Sequence, residues 1–421
     1  MSEILNIIEK MSGECSSCGL LHKTTIQDIQ IAPGLVNSVG EILKKNDFPT
    51  KLLMVADQNT LKASEGIAKS LFGFETMIKV FNNLRVTEME HVETLEKLIS
   101  DKDIAVLSVG TGSVNDACRL AAARQNKKLC IFGTAPSMDG FASYSSPIVA
   151  NGFKMTYPAK SPEVIIADTY ILAKAPSELK SAGFGDMMAK YIGLCDWEIS
   201  HILTGEIYCE KVAELTRSAV DELMEMADRV TCEDEETAGK IFESLLKTGL
   251  GMSFMQNPRP ASGSEHIIAH LIECVELTEG KIPNYHGEDV GICTLEMIKY
   301  YKSFEALQKI TAQKERVDWE DVFEFYGHMR DDVVAMNFPD NVIDKVSPEK
   351  LEEKWTDIIE VIKKIPSYDK CLEAMKKAGC KLNVSDIGKD EKLFRDCIKY
   401  SPYMRRRLTL LRLCGMIKEV Q

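Results

Sequence analysis

Three of the seven histidines fall close together, at His266, His270 and His286. The first two lie four apart in S-G-S-E-H-I-I-A-H (262–270), so on a helix they share one face. The capping residues Ser262 and Ser264 place the start of that helix. His286 stands in P-N-Y-H-G (283–287), which reads as a loop bounded by proline and glycine. Upstream, A-G-F-G-D (182–186) sets Asp186 directly after a Gly-rich turn, at a helix start. One carboxylate and two imidazoles with a position left over form the ligand set of a catalytic divalent metal such as zinc. The same residues have plainer uses: a helical histidine commonly sits in a core or on a surface, and an aspartate at a helix start caps it.

A second group suits phosphate. S-V-G-T-G-S-V-N-D (108–116) follows an apolar run and opens a helical pattern. Gly110 and Gly112 let backbone approach a pyrophosphate, and the helix start after them offers free N–H groups. The segment lacks the third glycine of the dinucleotide fingerprint, and a tight strand–helix turn would use the same residues. Asp57 follows the run 51–56. It either binds a ribose hydroxyl, which disfavours a 2′-phosphate, or caps the next helix. A third loop, T-A-P-S-M-D-G-F-A-S (134–143), is dense in hydroxyls. Three such loops at the carboxyl ends of strands point to a nucleotide cleft.

These residues need a scaffold. Uninterrupted apolar runs at 51–56, 104–109, 128–133 and 164–167 predict parallel strands buried on both faces. Helical patterns at 61–71, 92–99 and 116–124 alternate with them, as in a doubly wound α/β fold. From about residue 177 strand signals vanish, and 210–229, 236–246, 265–276 and 349–364 carry helical periodicity. The expectation is an α/β dinucleotide-binding domain over 1–175 with a Rossmann-like parallel sheet. A helical metal- and substrate-binding domain over 176–421 follows it. The proline-bearing stretch 143–162 reads as a loop and, with the strand after it, as a hinge region between lobes. The active site belongs in the cleft.

The chain has 421 residues and a formal charge of −13, with 45% apolar and 27% charged residues. Its length suits two or three domains or one two-lobed enzyme. This acidic balance argues against a general nucleic-acid binder. No apolar run approaches the roughly 18 residues of a membrane span, and no signal peptide is evident. Thirteen irregularly spaced cysteines favour free thiols in a reducing cytoplasm. C-S-S-C-G-L-L-H (15–22) is half of a structural zinc site with no second C-x-x-C to complete it. It reads as an exposed turn with free thiols, the metal site being the alternative. The tract Arg405–Arg407 reads as a solvated helix face.

Taken in order, five motifs resemble the sn-glycerol-1-phosphate dehydrogenases, a branch of the dehydroquinate synthase-like and iron-containing alcohol dehydrogenase superfamily. They are V-G-T-G-S-V-N-D (109–116), T-A-P-S-M-D-G-F-A-S (134–143), A-G-F-G-D-M-M-A-K (182–190), R-P-A-S-G-S-E-H (259–266) and N-Y-H-G (284–287). The C-terminal stretch 372–413 also resembles the bacterial AraM-type members. Thr111 stands where many superfamily members carry the middle of three adjacent glycines, which bears on nucleotide preference.

The resemblance implies a nucleotide-binding α/β lobe joined to a helical lobe. It implies a divalent metal (zinc, nickel or iron) on Asp186, His266 and His286. It implies NAD, with NADP as the alternative, against Asp57, Gly110, Gly112, Ser113, Val114, Asn115, Asp116, Thr134, Ser137 and Ser143. Asp139, Asp186 and His270 become the substrate-facing, catalytic residues. The implied reaction is interconversion of dihydroxyacetone phosphate and sn-glycerol 1-phosphate by a cytoplasmic homodimer. Lys154, Lys190 and Arg259 are the cations near the motifs that could meet the phosphate. Two enzymatic rivals come from the same superfamily: dehydrogenases of glycerol or other free polyols, and carbocyclic lyases of the dehydroquinate synthase type. A metal-bound sensor without turnover is a third, of another class.

Overall fold

The computed structural model describes residues 3–420. Helix α1 (Glu3–Met11) leads into a small hairpin of β1 (Gly13–Glu14) and β2 (Leu21–His22). Six strands then build one parallel sheet: β3 (Asp28–Ala32), β4 (Lys51–Asp57), β5 (Glu75–Phe81), β6 (Ile104–Gly110), β7 (Leu129–Gly133) and β10 (Val164–Asp168). Their order across the sheet is β3-β10-β7-β6-β4-β5. Neighbouring residues of β4 fill opposite cores. Leu53 and Val55 join one apolar cluster, while Leu52, Met54 and Ala56 join the other. That is why its sequence shows no polar alternation.

The two strands absent from the sequence reading are the edges. β5 alternates exposed and half-buried residues along E-T-M-I-K-V-F, and β3 carries Asp28 and Gln30. An edge strand is covered less completely and so admits polar residues.

The stretch 143–162 is a β-hairpin and not a loop. β8 (Ser145–Ala150) pairs antiparallel with β9 (Phe153–Pro158). Asn151 and Gly152 at its tip both have positive φ, 52° and 79°. An Asn-Gly pair between alternating apolar residues favours a type I′ turn.

The helical half contains α3 (Ser177–Met188), α4 (Lys190–Thr204), α5 (Glu210–Glu225), α6 (Glu235–Met255), α7 (Ser264–Thr278) and α8 (His286–Lys302). In the other half, α2 (Gly112–Arg124) follows β6. One large apolar cluster, running from Phe153 on β9 through Phe184 to Met416, holds these helices and the shorter ones after them. The helical half does contain strand: β11 (Ile310–Ala312) pairs with β12 (Ile417–Val420). The expected helix over 349–364 is two short ones, Pro348–Glu353 and Trp355–Lys363. No described helix is long and apolar enough to cross a membrane.

Candidate active site

A cleft of about 1210 Å³ opens between the carboxyl ends of the sheet strands and the helical half. The sheet contributes Gly112, Ser113 and Asp116 at the start of α2, with Asp139 and Ser143 from the segment after β7. Thr111 precedes α2 without a side-chain cap, so the first N–H groups of that helix are left for a ligand.

The remaining nucleotide candidates lie around this wall, outside the cleft lining. Val114 is packed in the core, and buried Asn115 receives the Ser108 hydroxyl at 2.7 Å, so neither side chain faces the cleft. A Cβ on Gly110 would sit 3.1 Å from Val114, which ties this glycine to packing beneath the turn. Thr134 and Ser137 are buried in the turn after β7. Asp57 caps a helix: its Oδ1 accepts from the backbone of Asn59 at 2.7 Å and of Thr60 at 2.9 Å. Its Oδ2 makes no such bond among the described residues.

Asp116 is paired at 2.7 Å with Arg119, a fully buried cation that also donates to the carbonyls of Gly140, Phe141 and Ser145. Burial nevertheless lifts Asp116 to about 6, against the pull of Arg119.

Asp186 is not at a helix start after a flexible turn. It lies in the last turns of α3, and the glycines before it are helical. They serve close approach instead. A Cβ on Gly183 would stand 2.0 Å from the Pro136 carbonyl, and one on Gly185 2.4 Å from the Gly287 carbonyl. The segment after β7 and the start of α8 can therefore both press against α3. His286 is correspondingly the first residue of α8 and not part of a loop.

Asp186, His266 and His286 come together with one ligand atom each within 4.8 Å of one another. His266 Nε2 lies 3.2 Å from Asp186 Oδ1. Its Nδ1 meets Glu265 at 2.7 Å, and His286 Nδ1 meets Glu273 at 2.8 Å. A carboxylate on the far nitrogen of each ring turns the other nitrogen toward a metal. Sequence reasoning missed both glutamates. Glu265 adjoins His266, and Glu273 follows His270 by three on α7, a spacing that places it on the same face. His270, Glu273 and His286 could form a competing cluster. There, however, Glu273 and His286 Nδ1 are spent on each other, and Glu273 also holds Lys154. The three residues Asp186, His266 and His286 fit a divalent ion better, with coordination positions left for substrate.

Lys190, on the first turn of α4, is fully buried between two acids. Its Nζ lies 3.0 Å from Asp186 and 2.7 Å from Asp139. Burial pushes Asp186 up, but the Lys190 ammonium and the His266 hydrogen bond hold it well below the usual carboxylate range. Asp139 is raised, first by burial and then by the charge of Asp186. Burial draws Glu273 upward too, yet Lys154 and His286 bring it to about 2. Desolvation and the nearby Lys154 keep His270 well below its ordinary value, which makes it a neutral imidazole.

The arginine tract is not a solvated helix face. Arg405 and Arg407 line the cleft from an irregular segment before the helix Leu410–Leu413. Arg407 donates to Ser262, and Arg405 to the Lys154 carbonyl. Neither has a carboxylate salt-bridge partner among the described residues. The other basic candidates are committed: Arg259 to Glu206, Lys154 to Glu273, and Lys190 to the two aspartates. Arg85 also lines the cleft without a carboxylate partner among the described residues, bonded to the Pro283 carbonyl and stacked on Tyr285, so Arg405, Arg407 and Arg85 are the cleft cations whose charge is left for an anion.

A parallel sheet, a helical half and a carboxylate–histidine cluster in the cleft between them define the class. Residues 30–176 match the family model for iron-containing alcohol dehydrogenase. The fold resembles that of an NADH-dependent butanol dehydrogenase from Thermotoga maritima, with a TM-score of 0.63 at 16% identity over 96% of both chains. Among curated relatives, a glycerol-1-phosphate dehydrogenase of Halalkalibacterium halodurans is 32% identical, covering 74% of this chain and 79% of the relative. One from Bacillus licheniformis is 26% identical over 98% of this chain and 94% of its own length. The chain belongs to the glycerol-1-phosphate dehydrogenase family.

Proposed function

We propose that the chain interconverts dihydroxyacetone phosphate and sn-glycerol 1-phosphate with NAD(H). The observation that supports this most is one cleft joining three parts: the uncapped start of α2, the Asp186–His266–His286 cluster, and the carboxylate-free arginines Arg405 and Arg407. The arginines favour a phosphorylated substrate over a free polyol, since a partly buried guanidinium is suited to bidentate contact with phosphate oxygens.

Asp186, His266 and His286 would hold the divalent metal, and the α2 start with Ser113 and Ser143 would hold the nucleotide. Bound there, the metal supplies Lewis-acid polarisation of the C2 oxygen and the nucleotide supplies hydride. The chain's own residues do the rest. Arg405 and Arg407 anchor the phosphate and so fix which carbon stands over the metal cluster. Glu265 and Glu273 hold the two imidazoles in the required tautomer. Neutral His270 can accept or pass on the proton of the C2 hydroxyl, with Asp139 and its Lys190 partner as the adjoining relay. Asp57 Oδ2, left over from capping, would meet the adenosine ribose and favour NAD over NADP.

In the His266→Ala variant, the cleft metal and turnover should both be lost while nucleotide binding stays near wild type. Near-wild-type activity of that variant after metal stripping would refute the scheme. Net oxidation of NADH during turnover separates this reading from a carbocyclic lyase, which regenerates its cofactor. We further propose a cytoplasmic homodimer. All thirteen cysteines are free, which suits a reducing compartment, and light scattering of the purified chain tests the dimer.

A further inference from the structure

The segment C-S-S-C-G-L-L-H takes no part in the cleft; its turn is exposed at Ser16, Ser17 and Gly19, while the Cys15 and His22 side chains are buried. The β1–β2 hairpin closes over a tight turn in which Cys15 N–H bonds the Leu20 carbonyl at 2.9 Å and Gly19 N–H bonds the Cys15 carbonyl at 2.8 Å. Backbone N–H groups of Ser17 and Cys18 are aimed at the Cys15 sulfur. This hairpin is seated on the start of α5. There Glu210 N–H donates to Ser17 Oγ at 3.2 Å, and Lys211 donates to Ser16 Oγ at 3.0 Å. The residue that precedes α5 is Cys209, fully buried, with its sulfur turned to the hairpin.

Four ligand atoms therefore converge from positions up to 194 apart in the chain. Cys15 Sγ is 3.7 Å from Cys209 Sγ, Cys209 Sγ is 3.8 Å from His22 Nε2, and Cys18 Sγ is 3.4 Å from His22 Nε2. A tetrahedral zinc with bonds of about 2.3 Å to sulfur and about 2.0–2.1 Å to nitrogen requires S–S edges near 3.8 Å and S–N edges near 3.6 Å. The distances match those edges. They exceed by far the roughly 2.05 Å of a disulfide. The His22 ring stacks on Phe254 at 5.1 Å and is hydrogen-bonded to the Met11 backbone, the kind of support that orients a metal-bound imidazole.

We propose that Cys15, Cys18, His22 and Cys209 bind a structural zinc ion that clamps the N-terminal hairpin onto the helical half. Four protein ligands fill the tetrahedron and leave no position for substrate, so this site is structural and distinct from the cleft. Three thiolates also select a softer metal than the carboxylate–histidine cluster requires. The hairpin lies between α1 and β3, so the clamp ties the edge of the parallel sheet to α5.

The test separates the two metal sites. The full-length His266→Ala variant, with its cysteines intact, is loaded with cobalt(II) and its absorption recorded. The expected result is a thiolate-to-cobalt charge-transfer band with intense visible bands of tetrahedral cobalt, both lost in the His266→Ala/Cys209→Ser double variant. By elemental analysis, His266→Ala should retain one zinc per chain and the double variant none. Cys18→Ser alone should lose one zinc equivalent and melt at lower temperature while keeping its rate at saturating substrate. The proposal is overturned if His266→Ala takes up no zinc and shows no cobalt–thiolate band, or if peptide mapping finds a Cys15–Cys209 disulfide. Failure of the cleft's dehydrogenase activity would leave the cobalt result unchanged, so the two readings fall separately.

Discussion

The backbone N–H of Asp139 donates to Asp186 Oδ2 at 2.9 Å, joining the segment after β7 to helix α3 across the cleft floor. Their carboxylates share a single buried cation, Lys190. Two buried acids this close are compatible only because that ammonium stands between them. Removing one member of a buried ion pair costs about 3–5 kcal/mol, because the partner charge is left unmatched. Lys190→Met should therefore lower the apparent melting temperature of the metal-free chain markedly. Differential scanning calorimetry checks this, and an unchanged melting temperature would show that the acids are balanced another way.

Glu265 and Glu273 reach the proposed metal ligands through the far nitrogens of His266 and His286. Losing such a partner typically weakens metal affinity about 10–100-fold. Glu265→Gln and Glu273→Gln should show that loss in competition with a chelator and recover much of their turnover at saturating metal. Glu273→Gln should also loosen Lys154, which depends on the same carboxylate.

Arg407→Gln should raise KM for dihydroxyacetone phosphate while leaving turnover of unphosphorylated dihydroxyacetone as it was. A hydrogen bond to a charged group contributes about 1.5–3 kcal/mol, which corresponds to roughly 10–150-fold in kcat/KM. Steady-state kinetics with both substrates gives the answer. An equal loss on the two would assign Arg407 to the fold and not to the phosphate.

The Asp57 carboxylate caps a helix through its Oδ1, and the proposed ribose contact falls to its Oδ2. Asp57→Asn keeps a capping oxygen but removes the charge that repels a 2′-phosphate. The ratio of catalytic efficiencies with NAD and NADP should shift toward NADP in this variant. A clear NADP preference in the unaltered chain would contradict the role given to Asp57.

The legible parts of this molecule were those whose chemistry is local. β4, β6, β7 and β10 are buried on both faces, so their apolar runs announced a parallel sheet. The edge strands β3 and β5 carry polar residues and gave no such run. Asn151-Gly152 was a local turn signal within reach of sequence reasoning, masked by the prolines around it. His266, His270 and His286 stand out by type and spacing as candidate ligands, but spacing alone does not choose among them, and the sequence suggests a helix start for Asp186 where the fold has a helix interior. Glycines that look like a flexible turn are in fact helical, and only the Pro136 and Gly287 carbonyls pressed against them explain their size. Arg405 and Arg407 looked like solvated charge because nothing in their neighbourhood reveals that the segment turns into the cleft. Cys209 had no spacing relation to Cys15 and Cys18, so the fourth member of that cluster required the fold.

In the proposed reaction, a metal on Asp186, His266 and His286 serves NADH-dependent reduction of a phosphorylated ketose. This is tested most directly by following NADH oxidation with dihydroxyacetone phosphate, in the same preparation whose metal content is measured before and after chelation. One NADH should be consumed per sn-glycerol 1-phosphate formed, with activity lost as the cleft metal leaves and regained when a divalent ion is restored. Full activity in the chelated chain, or turnover without net consumption of NADH, would contradict it.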